Sequence, residues 1–113
     1  MCAVAVAAIA VVATTAIGAP AGAEHPSRAR AVAVGSNFYD PVRLTVARGQ
    51  RVRFLWEGGI LRHDVSVRRG PEHFRSPLQA AGSYSRRFRK PGRFSLYCTQ
   101  HPSSMRMTLV VRR

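Results

Sequence analysis

At 113 residues with a formal net charge of +13, the chain holds one domain at most and lacks the length for a multi-domain enzyme. Seventeen of its 18 cationic side chains are arginine, against only five Asp and Glu, which points to an anionic partner: an acidic protein, a membrane surface or nucleic acid. The arginines are scattered along nearly every segment, and only Arg68-Arg69 and Arg86-Arg87-Phe88-Arg89-Lys90 cluster. That scatter argues against a dedicated nucleic-acid site and for a solvated basic surface.

Residues 1–23 contain no charge, and Ala3 to Ala13 is an unbroken apolar run, too short to cross a bilayer as a helix. Gly18, Pro20 and the triplet Ala21-Gly22-Ala23 follow it and read as a small-residue cleavage site. A signal peptide over 1–23 is expected, with a retained membrane anchor as the alternative. Cys2 would leave with it, so the exported chain keeps Cys98 alone. A lone cysteine in an oxidising compartment is either a small buried hydrophobe or a metal thiolate.

Residues 24–30 are polar and carry Pro26 and His25; they read as a flexible start to a domain over 31–113. Beyond them come short alternating segments divided by Gly and Pro, the spacing of an all-β sandwich or barrel of about seven to eight strands. Ala31–Val34 is the first strand. Phe38-Tyr39-Asp40-Pro41 reads as a connecting loop. Val42, Leu44 and Val46 share one face of the next strand, and Val52, Phe54 and Trp56 face inward from the one after, with Arg51 and Arg53 outside. A strand over about 61–69 places His63, Val65 and Val67 on one side and Asp64, Ser66 and Arg68 on the other. Gly70 to Gly82 shows no period and reads as a long loop, with His73 exposed in it. Ser83–Arg89, Arg93–Cys98 and Met107–Val111 are the remaining strands, separated by the Lys90-Pro91-Gly92 turn.

The chemistry lies in Cys98-Thr99-Gln100-His101-Pro102-Ser103-Ser104-Met105, which sets a thiol, an imidazole and a thioether at Cys-x-x-His-x-x-x-Met. Two imidazoles and a thiolate with a weak axial thioether suit copper moving between Cu(I) and Cu(II). The second imidazole must come from elsewhere, and His63, at the start of an apolar face, is the candidate. Zinc is a poor match, because structural zinc usually takes four Cys or His ligands. No phosphate loop or nucleophile elbow is present. A Cys98–His101 nucleophile pair would leave Met105 and His63 without a role.

His63-Asp64-Val65, the Lys90-Pro91-Gly92-Arg93-Phe94 turn, and Tyr97-Cys98-Thr99-Gln100-His101-Pro102 with Met105 resemble the small cupredoxins, most nearly the plastocyanin, pseudoazurin and amicyanin type. The resemblance covers about Ala31 to Val111. It implies a Greek-key β-sandwich, one type 1 copper and outer-sphere electron transfer. His63, Cys98 and His101 would be the equatorial ligands and Met105 the axial one. The His101–Met105 loop has three intervening residues, where amicyanin-like members have two and plastocyanins four. Met107 stands where amicyanin-like relatives often carry glycine, which makes it a rival axial ligand; its phase with Leu109 and Val111 reads as core. Asp64 is either an exposed carboxylate among arginines or, by the resemblance, a tie from the His63 segment to the backbone or hydroxyl of Thr99.

These readings imply an exported, non-enzymatic electron carrier in the periplasm, the cell envelope or outside the cell. It would be monomeric, meeting an acidic redox partner transiently, with weak attraction to anionic membranes. A copper-storage or carrier protein without redox traffic, and a metal-free basic interaction module, are the competing functions.

Overall fold

The structure, a computed structural model, describes Ala3 and residues 28–113. The expected leader, apart from Ala3, and residues 24–27 with His25 lie outside the described residues. Eight strands follow in order: β1 (Arg30–Gly35), β2 (Phe38–Asp40), β3 (Arg43–Val46), β4 (Arg51–Glu57), β5 (Ser66–Arg69), β6 (Ala81–Arg87), β7 (Gly92–Tyr97) and β8 (Arg106–Val111). They form two four-stranded sheets, β2-β1-β4-β6 and β3-β8-β7-β5. Each sheet is mixed, because β1 runs parallel to β4 and β3 parallel to β8 while the other pairs are antiparallel. The result is an all-β Greek-key sandwich, and none of the described residues is helical.

The side-chain period of two decides which faces meet. In β4, Val52, Phe54 and Trp56 are buried while Arg51, Arg53, Leu55 and Glu57 are exposed. In β8, Met107, Leu109 and Val111 are buried in the same alternation. Leu44 and Val46 of β3 and Phe94 and Leu96 of β7 complete the facing layer. Phe88 joins the layers through edge-to-face contacts with Phe94 (5.1 Å between centroids) and Phe74 (5.5 Å). Such pairs add about 0.5–1.5 kcal/mol each to the area they bury.

Four local expectations are corrected. Phe38–Asp40 is a strand, paired with β1 through a tight turn in which Asn37 takes a left-handed φ of 69°. Its Tyr39 is 1% exposed, which gives that strand a core anchor. Val42 is 65% exposed and lies ahead of β3, so it does not share the inward face of Leu44 and Val46. Regular pairing also reaches back before Ala31: Arg30 opens β1, and the Arg28 carbonyl accepts a hydrogen bond from Gln50 Nε2 at 3.0 Å. The fourth correction concerns residues 61–69, where only Ser66–Arg69 is a strand, with a register shift between Val67 and Arg69. His63, Asp64, Val65 and Ser66 are all buried, so this stretch does not alternate. The expected long loop explains why. Its residues 74–79 run antiparallel to this stretch, with bridges His63–Gln79 and Ser66–Arg75, and cover the side that a strand would leave to solvent.

Candidate metal centre

The β4–β5 connection and the β7–β8 loop carry the predicted donors. His63 lies on the first, and its backbone is fixed from two directions. Its N–H donates to the Gln79 carbonyl (2.9 Å), and its own carbonyl accepts from Gln79 N–H (3.1 Å) and Trp56 Nε1–H (2.9 Å). The residue is 4% exposed. Burial first, and the neighbouring His101 second, hold its imidazole below the ordinary histidine pKa despite the opposing pull of Asp64. A neutral imidazole is the form that ligates metal.

Cys98 directly follows β7 and is fully buried, with its thiol free of any disulfide. Its loop closes on itself: Cys98 N–H donates to Met105 O (3.0 Å), His101 N–H to Cys98 O (3.2 Å), and Met105 N–H to His101 O (3.0 Å). The three loop donors are therefore held by short-range backbone bonds that do not depend on a bound ion.

Cys98 Sγ lies 4.0 Å from His63 Nδ1. A sulfur at ~2.3 Å and a nitrogen at ~2.0 Å from one first-row ion, about 120° apart, stand ~3.7 Å from each other. The pair thus fits a shared ion after a shift of a few tenths of an ångström. The His63 and His101 rings pack with centroids 5.1 Å apart at 45°. His101 is half-buried, so part of it reaches the surface. Met105 is fully buried and joined by a backbone hydrogen bond to Cys98. Met107, 3% exposed, stands two residues further along, in β8, opposite Leu96. Among the described residues no three His, Cys, Asp or Glu side chains stand at the mutual spacing of a closed metal shell.

Behind the pair lies a network centred on Asp64, which is fully buried and not on an outer face. Its Oδ1 accepts from Thr99 N–H (2.7 Å), and its Oδ2 accepts from Thr99 Oγ1–H (2.5 Å) and Arg75 Nε–H (3.2 Å). Arg75 Nη2 also donates to Thr99 Oγ1 (3.2 Å). Tyr39 OH donates to the Asp64 backbone carbonyl (2.5 Å), and burial pushes that phenol's pKa far up, so it stays a donor. Because Asp64 follows His63 and Thr99 follows Cys98, the carboxylate clamps the two segments together. Of the two readings of Asp64, the structure shows the tie to Thr99 and not the exposed carboxylate. Arg75, Tyr39, Trp56 and Gln79 were not expected, and no local motif marks them. His73 is exposed, as expected, and the metal-centre contacts do not include it.

No protein-family model matches the sequence, and no curated protein is significantly similar to it. Solved structures do match. A Cu-containing nitrite reductase from Thermus scotoductus SA-01 is 28% identical with a TM-score of 0.65; the match covers 88% of this chain and 25% of the reductase, so this chain spans about a quarter of that protein. A reduced Cu(I) form of a proline-to-glycine variant of amicyanin is 27% identical with a TM-score of 0.64, covering 74% of this chain and 82% of amicyanin. An oxidized proline-to-glycine amicyanin variant is 26% identical at 0.65, covering 80% and 88%. The fold is of the copper electron-transfer type. This chain is a small cupredoxin-like protein.

Proposed function

We propose that the chain is an exported type 1 copper protein that passes single electrons between redox partners. His63, Cys98, His101 and Met105 would hold one copper ion, with the Met105 thioether the weakest donor of the four. The observation that carries this is the buried His63–Cys98 pair, 4.0 Å apart, fixed from behind by Asp64 bridging to Thr99. Copper, when bound, supplies the one-electron couple. The chain's own work is to hold its donors still and dry, so that a change of charge does not rearrange them. Met105 is preferred over Met107 because its backbone is bonded to Cys98, whereas Met107 packs opposite Leu96. An electron would leave through His101, since among His63, Cys98 and His101 it alone is half-exposed.

The leader over 1–23, export to the periplasm, cell envelope or exterior, and a monomeric state belong to the same reading. The charge of +13 favours an acidic partner by steering encounter more than by tightening the complex. Electrochemistry of the copper-loaded protein separates electron transfer from storage. Reversible one-electron cycling with retained metal supports the carrier; loss of copper on each reduction would make it a storage or delivery protein.

A further inference from the structure

The outer face of the β3-β8-β7-β5 sheet carries a feature that copper chemistry does not use. A cavity of about 460 Å³ opens there, lined by Arg68 and Arg69 of β5, Arg93 and Ser95 of β7, and Arg106 and Thr108 of β8. Among the described residues no carboxylate lines it. Of the four acidic residues among those described, Asp64 pairs with Arg75 and Glu72 with Arg86, while Asp40 and Glu57 belong to β2 and β4 of the other sheet.

Four guanidiniums sharing one concavity repel each other, and two of them are nevertheless fixed. Arg68 Nη2 (3.2 Å) and Arg106 Nε (2.8 Å) both donate to the Pro102 carbonyl, and the Arg68 guanidinium lies 4.7 Å from the centroid of the Tyr97 ring. The register brings the rest together. Ser95 pairs with Arg69 on one side and with Thr108 on the other, which sets two hydroxyls on the floor between the arginines. Guanidinium forks and hydroxyl donors around a small space are the recognition set for a phosphate-type oxoanion. The volume suits a compact molecule bearing several charges.

We infer that this groove is a binding site for a polyvalent oxoanion of the phosphate class, either a free anion or the headgroup of an anionic lipid. Arg68 and Arg106 are its preorganised end, and Arg69 and Arg93 are the exposed arms that close on the ligand. Anchoring two arms in advance lowers the ordering cost of binding.

Calorimetric titration of the purified metal-free protein with inorganic pyrophosphate at low ionic strength tests the site. Two double variants are compared, Arg69→Gln/Arg93→Gln in the groove and Arg51→Gln/Arg53→Gln on β4. They remove equal charge from exposed positions, and circular dichroism verifies that both fold. The groove predicts one pyrophosphate per chain, with affinity about tenfold weaker in the groove variant and little changed in the β4 variant. No binding by the parent, or equal losses in both variants, would overturn the site and leave only the diffuse charge of the surface. Sedimentation with phosphatidate vesicles identifies the source. Once pyrophosphate binding has passed the first test, vesicle binding lost only in the groove variant assigns a lipid headgroup. Vesicle binding equal in all variants assigns a free anion. Copper loading plays no part in these measurements, so the site and the proposed electron carrier stand or fall separately.

Discussion

Replacing Asp64 with alanine removes the clamp between the two ligand-bearing segments. The fully buried carboxylate loses Thr99 N–H at 2.7 Å and Thr99 Oγ1–H at 2.5 Å, each a hydrogen bond to a charged acceptor worth about 1.5–3 kcal/mol. The ion pair with Arg75 adds little, because that arginine side chain is 61% exposed. Relief of the carboxylate's own desolvation offsets part of the loss, which leaves a net destabilisation of about 3 kcal/mol. A small domain has roughly 5–15 kcal/mol to lose, so the variant still folds. Urea unfolding of the metal-free protein should show the midpoint falling by roughly 2–3 M at an unchanged slope of ~1–1.5 kcal/mol/M. Asp64→Asn keeps one oxygen for Thr99 N–H and should lose about half as much. An Asp64→Ala variant within about 0.5 kcal/mol of the parent would refute the clamp, because a buried and fully bonded carboxylate cannot be that inert.

Glu72 makes a second clamp at the β6–β7 turn, where it accepts from Lys90 N–H (2.9 Å), Arg89 N–H (3.2 Å) and Arg86 Nη2 (2.7 Å). Burial raises its pKa, but those donors outweigh it and hold the carboxyl below the ordinary 4.5. Its stabilisation is therefore present above that value and lost as pH falls through the lower folded one. Glu72→Gln should cost about 1–2 kcal/mol near neutrality, with the gap to the parent closing in acid; a gap constant down to about pH 3 would contradict this. Tyr39→Phe leaves the Asp64 carbonyl without its buried donor and should cost about 1–2 kcal/mol by urea unfolding; no measurable change would remove Tyr39 from the network. In the copper-loaded protein, Met105→Leu should keep the blue colour and raise the potential, whereas Met107→Leu should leave the potential unchanged. The reverse pattern would exchange their roles.

The strands with one face to water were legible, because every second residue of β4 and β8 is a large buried apolar side chain, with Arg51, Arg53, Arg106 and Thr108 among the positions between. Segments buried on both sides were not. Residues 63–66 look like an alternating strand, yet the 74–79 segment covers their outer side and Asp64 ends fully buried. That burial works because Thr99, 35 positions away, supplies two donors, a pairing that no local period encodes. The short β2 was hidden for the opposite reason: three residues are too few to show a period, and Tyr39 alone marks the inward side. The parallel pairings of β1 with β4 and β3 with β8 join strands far apart in sequence.

The donor loop was legible as chemistry, since thiol, imidazole and thioether fall within eight residues. His63 was read as the second imidazole because it opens an apolar face, and the structure sets its Nδ1 4.0 Å from Cys98 Sγ. The arginine groove was legible only in fragments. Arg68-Arg69 stood out as a pair, but Arg93 and Arg106 join it only through the β5-β7-β8 register.

If His63 and Cys98 share a copper ion, both side chains must shape the spectrum of bound Cu(II). The direct test is a Cu(II) titration of a chain spanning residues 24–113, followed by visible absorption, alongside Cys98→Ser and His63→Ala. A shared site gives an intense blue or green band that saturates at one copper per chain, is absent in Cys98→Ser and is weakened or shifted in His63→Ala. No band in the parent, or a band that persists in Cys98→Ser, would contradict it.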